Sequence, residues 1–93
     1  MSIEAPQLYL VLLRSGPGKE EEALRLLRSL VFGTVPLEGV ELVAAYTLVG
    51  LYEAVMLVKS GSEDSLARFV SRLEKVLGSK VVIERAKPLT PGG

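Results

Sequence analysis

Residues 40–59, VELVAAYTLVGLYEAVMLVK, predict a two-stranded ribbon that is apolar on both faces. Side chains alternate along a strand, so Leu42, Ala44, Tyr46 and Leu48 are expected on one side and Val43, Ala45 and Thr47 on the other. The returning strand puts Tyr52, Ala54, Met56 and Val58 on one face and Leu51, Val55 and Leu57 on the opposite one. The two strands meet at Val49-Gly50. Valine suits a two-residue hairpin turn poorly, because such turns need positive φ. A longer turn with Gly50 left-handed, as in a G1 bulge, is therefore expected.

Residues 7–14, QLYLVLLR, repeat the pattern: Leu8, Leu10 and Leu12 line one face, Tyr9, Val11 and Leu13 the other, as in a central strand covered twice. Ser15-Gly16-Pro17-Gly18 breaks this strand. A helix is expected from Pro17 or Gly18 to Val31, with Pro17 in the first turn and Glu20, Glu21 and Glu22 at the positive end of the dipole. Leu24, Leu27, Leu30 and Val31 form its stripe, widened by Ala23 and Leu26. The connector at 32–39, FGTVPLEG, carries Phe32, Val35 and Leu37, which either cap the helix layer or make an oligomer contact.

Ser62 reads as the N-cap of a second helix reaching Leu77, with Glu63 and Asp64 in its first turn and Gly78 as its stop. Leu66, Phe69, Val70, Leu73, Val76 and Leu77 recur at helical spacing. Residues 79–86, SKVVIERA, form the last strand, whose polar alternation marks an edge.

The order βαββαβ predicts an α+β, ferredoxin-like fold: a four-stranded antiparallel sheet with two helices on one face. Each helical crossover is expected to join parallel neighbours. The chain is one domain, with a core over residues 7–86 and a tail over 87–93. Two helices cover one face of the sheet. The second apolar face needs cover from another copy or another protein.

Composition sharpens this expectation. A 93-residue domain buries only about 60–65% of its unfolded surface, so it commonly needs outside support. With no cysteine and no histidine, disulfides, thiolate sites and the commonest metal ligand and general base are excluded. No metal site and no cofactor are expected, and oligomerisation remains as the support. The formal net charge of zero argues against direct nucleic-acid binding. No apolar run spans a membrane and MSIEAPQ is no signal peptide, so a cytoplasmic protein is expected. The absence of asparagine, one glutamine and many Glu, Lys and Arg fit a thermophilic source.

The segment SGPGK at 15–19 has the wrong spacing for a phosphate loop and precedes three glutamates, so it reads as a strand-to-helix turn. The acidic residues show no metal-ligand spacing. Acid–base chemistry would fall to Tyr9, Tyr46, Tyr52, Glu53 or Arg85, and no catalytic residue is assigned. Glu53 interrupts the apolar row Leu51, Val55, Leu57. A buried unpaired carboxylate costs several kcal/mol. Glu53 therefore has a cationic partner, reaches solvent at the strand end, or meets an ammonium or hydroxyl group of a ligand.

Gly50-Leu51-Tyr52-Glu53, followed by an apolar strand and an amphipathic helix, resembles the G-x-[YF]-[DE] turn of the ligand-binding (RAM) domain of the Lrp/AsnC family and of stand-alone dimeric α/β-barrel proteins. The opening strand and the Pro17-Gly18-Lys19-Glu20 start of a Glu-rich helix are also similar, so the likeness covers residues 8–86. It implies a homodimer whose open sheets pack face to face, or a higher even-numbered assembly. It also implies a small-molecule effector, typically an amino acid, bound near the turn between subunits. Transferred by position, the ligand-binding residues are Tyr46, Thr47, Gly50, Tyr52 and Glu53. The chain departs from the family in having Glu53 where Asp is common and a longer connector at 32–39. It also has no N-terminal helix-turn-helix, so it is expected not to bind DNA directly, though it could modulate a regulator that does. The rival expectations are a small cofactor-free enzyme on the same barrel, of monooxygenase or isomerase type, and a structural adaptor subunit.

Overall fold

A computed structural model describes residues 6–33 and 37–90; Val35 of the connector lies outside the described residues. The elements run β1 (Gln7–Leu13), α1 (Glu20–Val31), β2 (Val40–Thr47), β3 (Ala54–Ser60), α2 (Glu63–Leu77) and β4 (Val82–Ala86). The strands form one antiparallel sheet in the order β2-β3-β1-β4, the ferredoxin-like arrangement. The crossovers differ from the expectation. β1 and β2 both run antiparallel to β3, so they are parallel to each other but separated by it, and β1 separates β3 from β4 in the same way.

The core lies between the sheet and the helices. Val11, Leu13, Met56 and Val58 from the central strands meet Ala23 and Leu30 of α1 and Leu66, Phe69, Leu73 and Leu77 of α2. The α1 stripe is narrower than its sequence suggests. Leu24 and Val31 are 51% and 55% exposed, and Phe32 is 77% exposed, so it does not cap the helix layer within this chain. Leu37 does pack, half-buried, against the core.

Helix α1 starts later than expected, at Glu20, because Pro17 and Gly18 are used by a turn. Lys19 N donates to Gly16 O at 3.1 Å, and Gly18 has φ +77°. Proline followed by a left-handed glycine inside such a bond is the signature of a type II turn, and a left-handed residue cannot belong to the helix. Helix α2 follows its sequence signals. Ser62 accepts from Ser65 N at 3.2 Å, and Gly78 closes the helix at φ +64°. Glu74 of α2 accepts from Val81 N at 3.0 Å and ties the start of β4 to the helix. Gly16 N donates to Leu77 O at 2.7 Å and joins the β1–α1 turn to the end of α2.

The β2–β3 ribbon departs most from strict alternation. Leu42 pairs with Val58 but Ala44 pairs with Leu57, so Val43 is an extra, bulged residue. Before the bulge Val40 and Leu42 share the helix-facing side with Val58. After it Ala45 and Thr47 do, opposite Met56 and Ala54. Leu42 is therefore on the opposite face from Ala44 and Tyr46, not on the same one. The bulge lies inside β2 and not at the turn.

Candidate functional site

One face of the sheet lies opposite the helix layer and is largely apolar among the described residues. Cross-strand register puts Tyr46, Val55, Leu12 and Val82 in one row and Ala44, Leu57, Leu10 and Glu84 in the next. A third row holds Glu41, Lys59, Leu8 and Ala86. Leu8, Leu10, Leu12, Val55 and Leu57 are all only half-buried. The charged groups stand at the end of the sheet or on its edge strands, and both signs are present. An apolar centre with a polar rim is the usual composition of a protein–protein contact.

The loop 48–53 joins β2 to β3 at one end of the sheet. It is longer than a tight turn and is closed by Leu48 N donating to Glu53 O at 2.8 Å. Glu53 N donates to Leu13 O at 2.9 Å, which anchors the base of the loop to β1. Gly50 has φ +156°, a positive value far from the left-handed helical region expected for a G1 bulge. No atom would lie within 4 Å of a Cβ placed there. Leu51 and Tyr52, expected from the sequence to be strand residues, belong to this loop.

Glu53 is exposed, and its carboxylate accepts a hydrogen bond from Ser15 Oγ. Of the three fates open to it in the sequence, solvent at the strand end is the one observed in the single chain. It lines a polar cavity of about 480 Å³ with Arg14, Ser15, Glu20 and Ser79. Such a cavity offers a carboxylate, a guanidinium and a hydroxyl to a small polar molecule. Ser15 carries no signal in the sequence, because 38 positions separate it from Glu53. Only the β1–β3 pairing brings the two strand ends together.

The five residues assigned to ligand binding are divided in space. Tyr46 and Thr47 line a mostly apolar groove of about 310 Å³ between β2 and α1, with Leu24, Leu27, Arg28 and Val31. Glu53 lines the polar cavity described above. Gly50 is exposed at the loop, and Tyr52 is half-buried beside Glu53. A third cavity, about 390 Å³, sits at the other end of the sheet, where Tyr9, Gln7, Arg85 and Ser60 line it with the start of α2. Arg85 donates to Gln7 there, a contact that residue types and spacing do not announce. Tyr9 pairs with Arg85 across the strands, so its distance in sequence conceals a direct neighbour.

Among the described residues, no group of three or more His, Cys, Asp or Glu could hold a metal ion. No described helix is long and apolar enough to cross a membrane. No family model matches the chain, and no curated protein matches it.

Proposed function

We propose that this chain is a homodimeric, non-enzymatic binding module of the Lrp/AsnC RAM type, whose effector is a small polar molecule such as an amino acid. The observation that carries this reading is the open sheet face, where Leu8, Leu10, Leu12, Val55 and Leu57 are only half-buried opposite the helix layer. Burial of apolar surface stabilises by about 25 cal/mol per Å². A second copy, brought face to face, gives these leucines and valines the cover that one chain lacks. Lys59 at the end of the face and Glu41 and Glu84 on its edge strands provide opposite charges for a two-fold contact.

The effector site sits at the base of the 48–53 loop. Glu53 supplies an exposed carboxylate suited to an ammonium group, and Arg14 and Ser15 border the same cavity. Of the other residues assigned from the sequence, Gly50 and Tyr52 belong to the same loop as Glu53, whereas Tyr46 and Thr47 line the separate groove between β2 and α1. With neither histidine nor cysteine in the chain, binding is a better use of this carboxylate than turnover. The bound effector would act on the assembly, and through it on a DNA-binding regulator.

Native mass spectrometry of protein purified without added ligand tests the reading. Even-numbered assemblies that carry a small-molecule mass are expected. Calorimetric titration with amino acids then identifies the site, with Glu53→Gln weakening binding at least tenfold. A strictly monomeric protein would remove the basis of the proposal.

A further inference from the structure

The helix-facing side of the sheet is apolar along most of its length and turns polar at one end. Val11 pairs with Met56 and Ile83, and the next row on the same side joins Tyr9 to Val58 and Arg85. Residues paired across antiparallel strands share a face. Arg85 therefore continues the inward side of β4 after Ile83. A guanidinium stands where the alternation asks for an apolar side chain, and such departures from a consistent local pattern gather at functional or strained positions.

Arg85 is exposed, and one of its N–H groups donates to Gln7 Oε1. A guanidinium has five N–H donors, so the rest of the fork can serve another acceptor. Arg85, Gln7 and the half-buried Tyr9 open onto the cavity of about 390 Å³ beside the start of α2. Ser60 lines it too, but its hydroxyl is used inside the chain, with Oγ 3.0 Å from Gly39 O and 2.9 Å from Ser62 O. It holds the turn into α2. Ser62 Oγ accepts from Ser65 N at 3.2 Å and keeps its own proton to donate. Glu63 is the one opposing charge in the lining, and it is exposed.

We infer that this cavity binds the phosphate group of a small phosphomonoester, with Arg85 as its principal ligand and Tyr9 and Ser62 as further donors. A planar guanidinium matches two phosphate oxygens at once, and its charge strengthens both hydrogen bonds. The positive end of the α2 dipole adds to the field without defining the site, since it would serve any anion. The volume lies within the roughly 300–1,000 Å³ of ligand pockets and leaves room for an organic part beyond the phosphate. Every lining residue comes from one chain, and the cavity is at the opposite end of the sheet from Glu53. It therefore depends neither on dimerisation nor on the effector site.

The test is a titration of the full chain with inorganic phosphate, glycerol phosphate and acetate, followed by amide NMR shifts at constant ionic strength. Both phosphates should give saturable shifts at Tyr9, Ser62, Glu63 and Arg85 and none at Ser15 and Glu53, with glycerol phosphate binding the tighter of the two. Arg85→Gln should weaken binding about tenfold or more, as expected for loss of a hydrogen bond to a charged group. Tyr9→Phe should weaken it several-fold, and Glu63→Gln should tighten it by removing the opposing charge. The last variant keeps the test decisive if Arg85→Gln fails to fold. An absence of saturable shifts, acetate binding as tightly as phosphate, affinity unchanged in Arg85→Gln, or weaker binding in Glu63→Gln would each overturn the inference.

Discussion

Gly16→Ala is expected to destabilise this chain strongly, because the obstruction it meets is backbone. A Cβ at Gly16 would lie 2.5 Å from Gly78 O, 3.1 Å from Gly78 C and 3.3 Å from Leu77 O. Ordinary contact begins near 3.4 Å, so about 1 Å of separation is missing, and each obstructing atom is backbone. The end of α2 cannot withdraw freely, since Leu73 and Leu77 are 2% and 1% exposed in the core. Overpacking of this kind costs about 1–3 kcal/mol. Stretching the 2.7 Å bond from Gly16 N to Leu77 O removes about 0.5–1.5 kcal/mol more. The lower entropy of the unfolded alanine chain returns about 0.4–1 kcal/mol.

The net loss is centred near about 2 kcal/mol, within a span of about 0.5–4 kcal/mol, against a total of about 5–14 kcal/mol for a domain of this size. Urea unfolding at fixed protomer concentration measures it. With a slope of about 1–1.5 kcal/mol per molar, the midpoint should fall by about 2 M. Gly18→Ala is the internal control. Gly18 has φ +77° but no atom within 4 Å of a Cβ placed there, so only the left-handed backbone penalty of about 1 kcal/mol applies. Gly16→Ala no more destabilising than Gly18→Ala would refute the close-approach account.

Other substitutions probe separate features. Ser62→Ala removes the side-chain cap of α2 and should cost about 1 kcal/mol, read from the same urea transition. Met56→Ala empties a fully buried central position and should cost about 2–5 kcal/mol, with an unchanged slope. Leu10→Glu places a charge in the middle of the open sheet face and should lower the assembly mass while the circular dichroism spectrum is kept. Ser15→Ala removes the hydrogen bond to Glu53 and should weaken effector binding several-fold without changing the assembly mass.

Periodicity alone is enough for much of the architecture. Apolar residues at helical spacing, Ser62 before an acidic turn and Gly78 after Leu77 locate α2 to the residue. Alternation in β1 separates Leu8, Leu10 and Leu12 from Tyr9, Val11 and Leu13 correctly, because no irregularity interrupts that strand. The same rule fails in β2, where the bulge at Val43 changes the face of everything after it. A bulge is a property of strand pairing, and VELVAAYT carries no local mark of one. The start of α1 is misplaced by the sequence signals for a related reason. Proline can open a helix or occupy a type II turn, and the left-handed Gly18 that decides between them is a conformation rather than a residue type.

The order of helices and strands, most of the core and the presence of a second apolar sheet face were therefore determined by the sequence itself, whereas Leu24, Val31 and Val76 of the expected helix stripes are exposed. The features so determined follow from the period at which apolar side chains recur, which is a local property. Tertiary structure alone decided that Ser15 bonds Glu53, that Arg85 bonds Gln7, and that Tyr46 and Thr47 share a groove with Leu24 and Val31. Each joins residues far apart in the chain through strand register and helix placement. The physical reason is that a side chain's periodicity reports only whether it is buried, whereas its neighbours are chosen by how the whole sheet pairs.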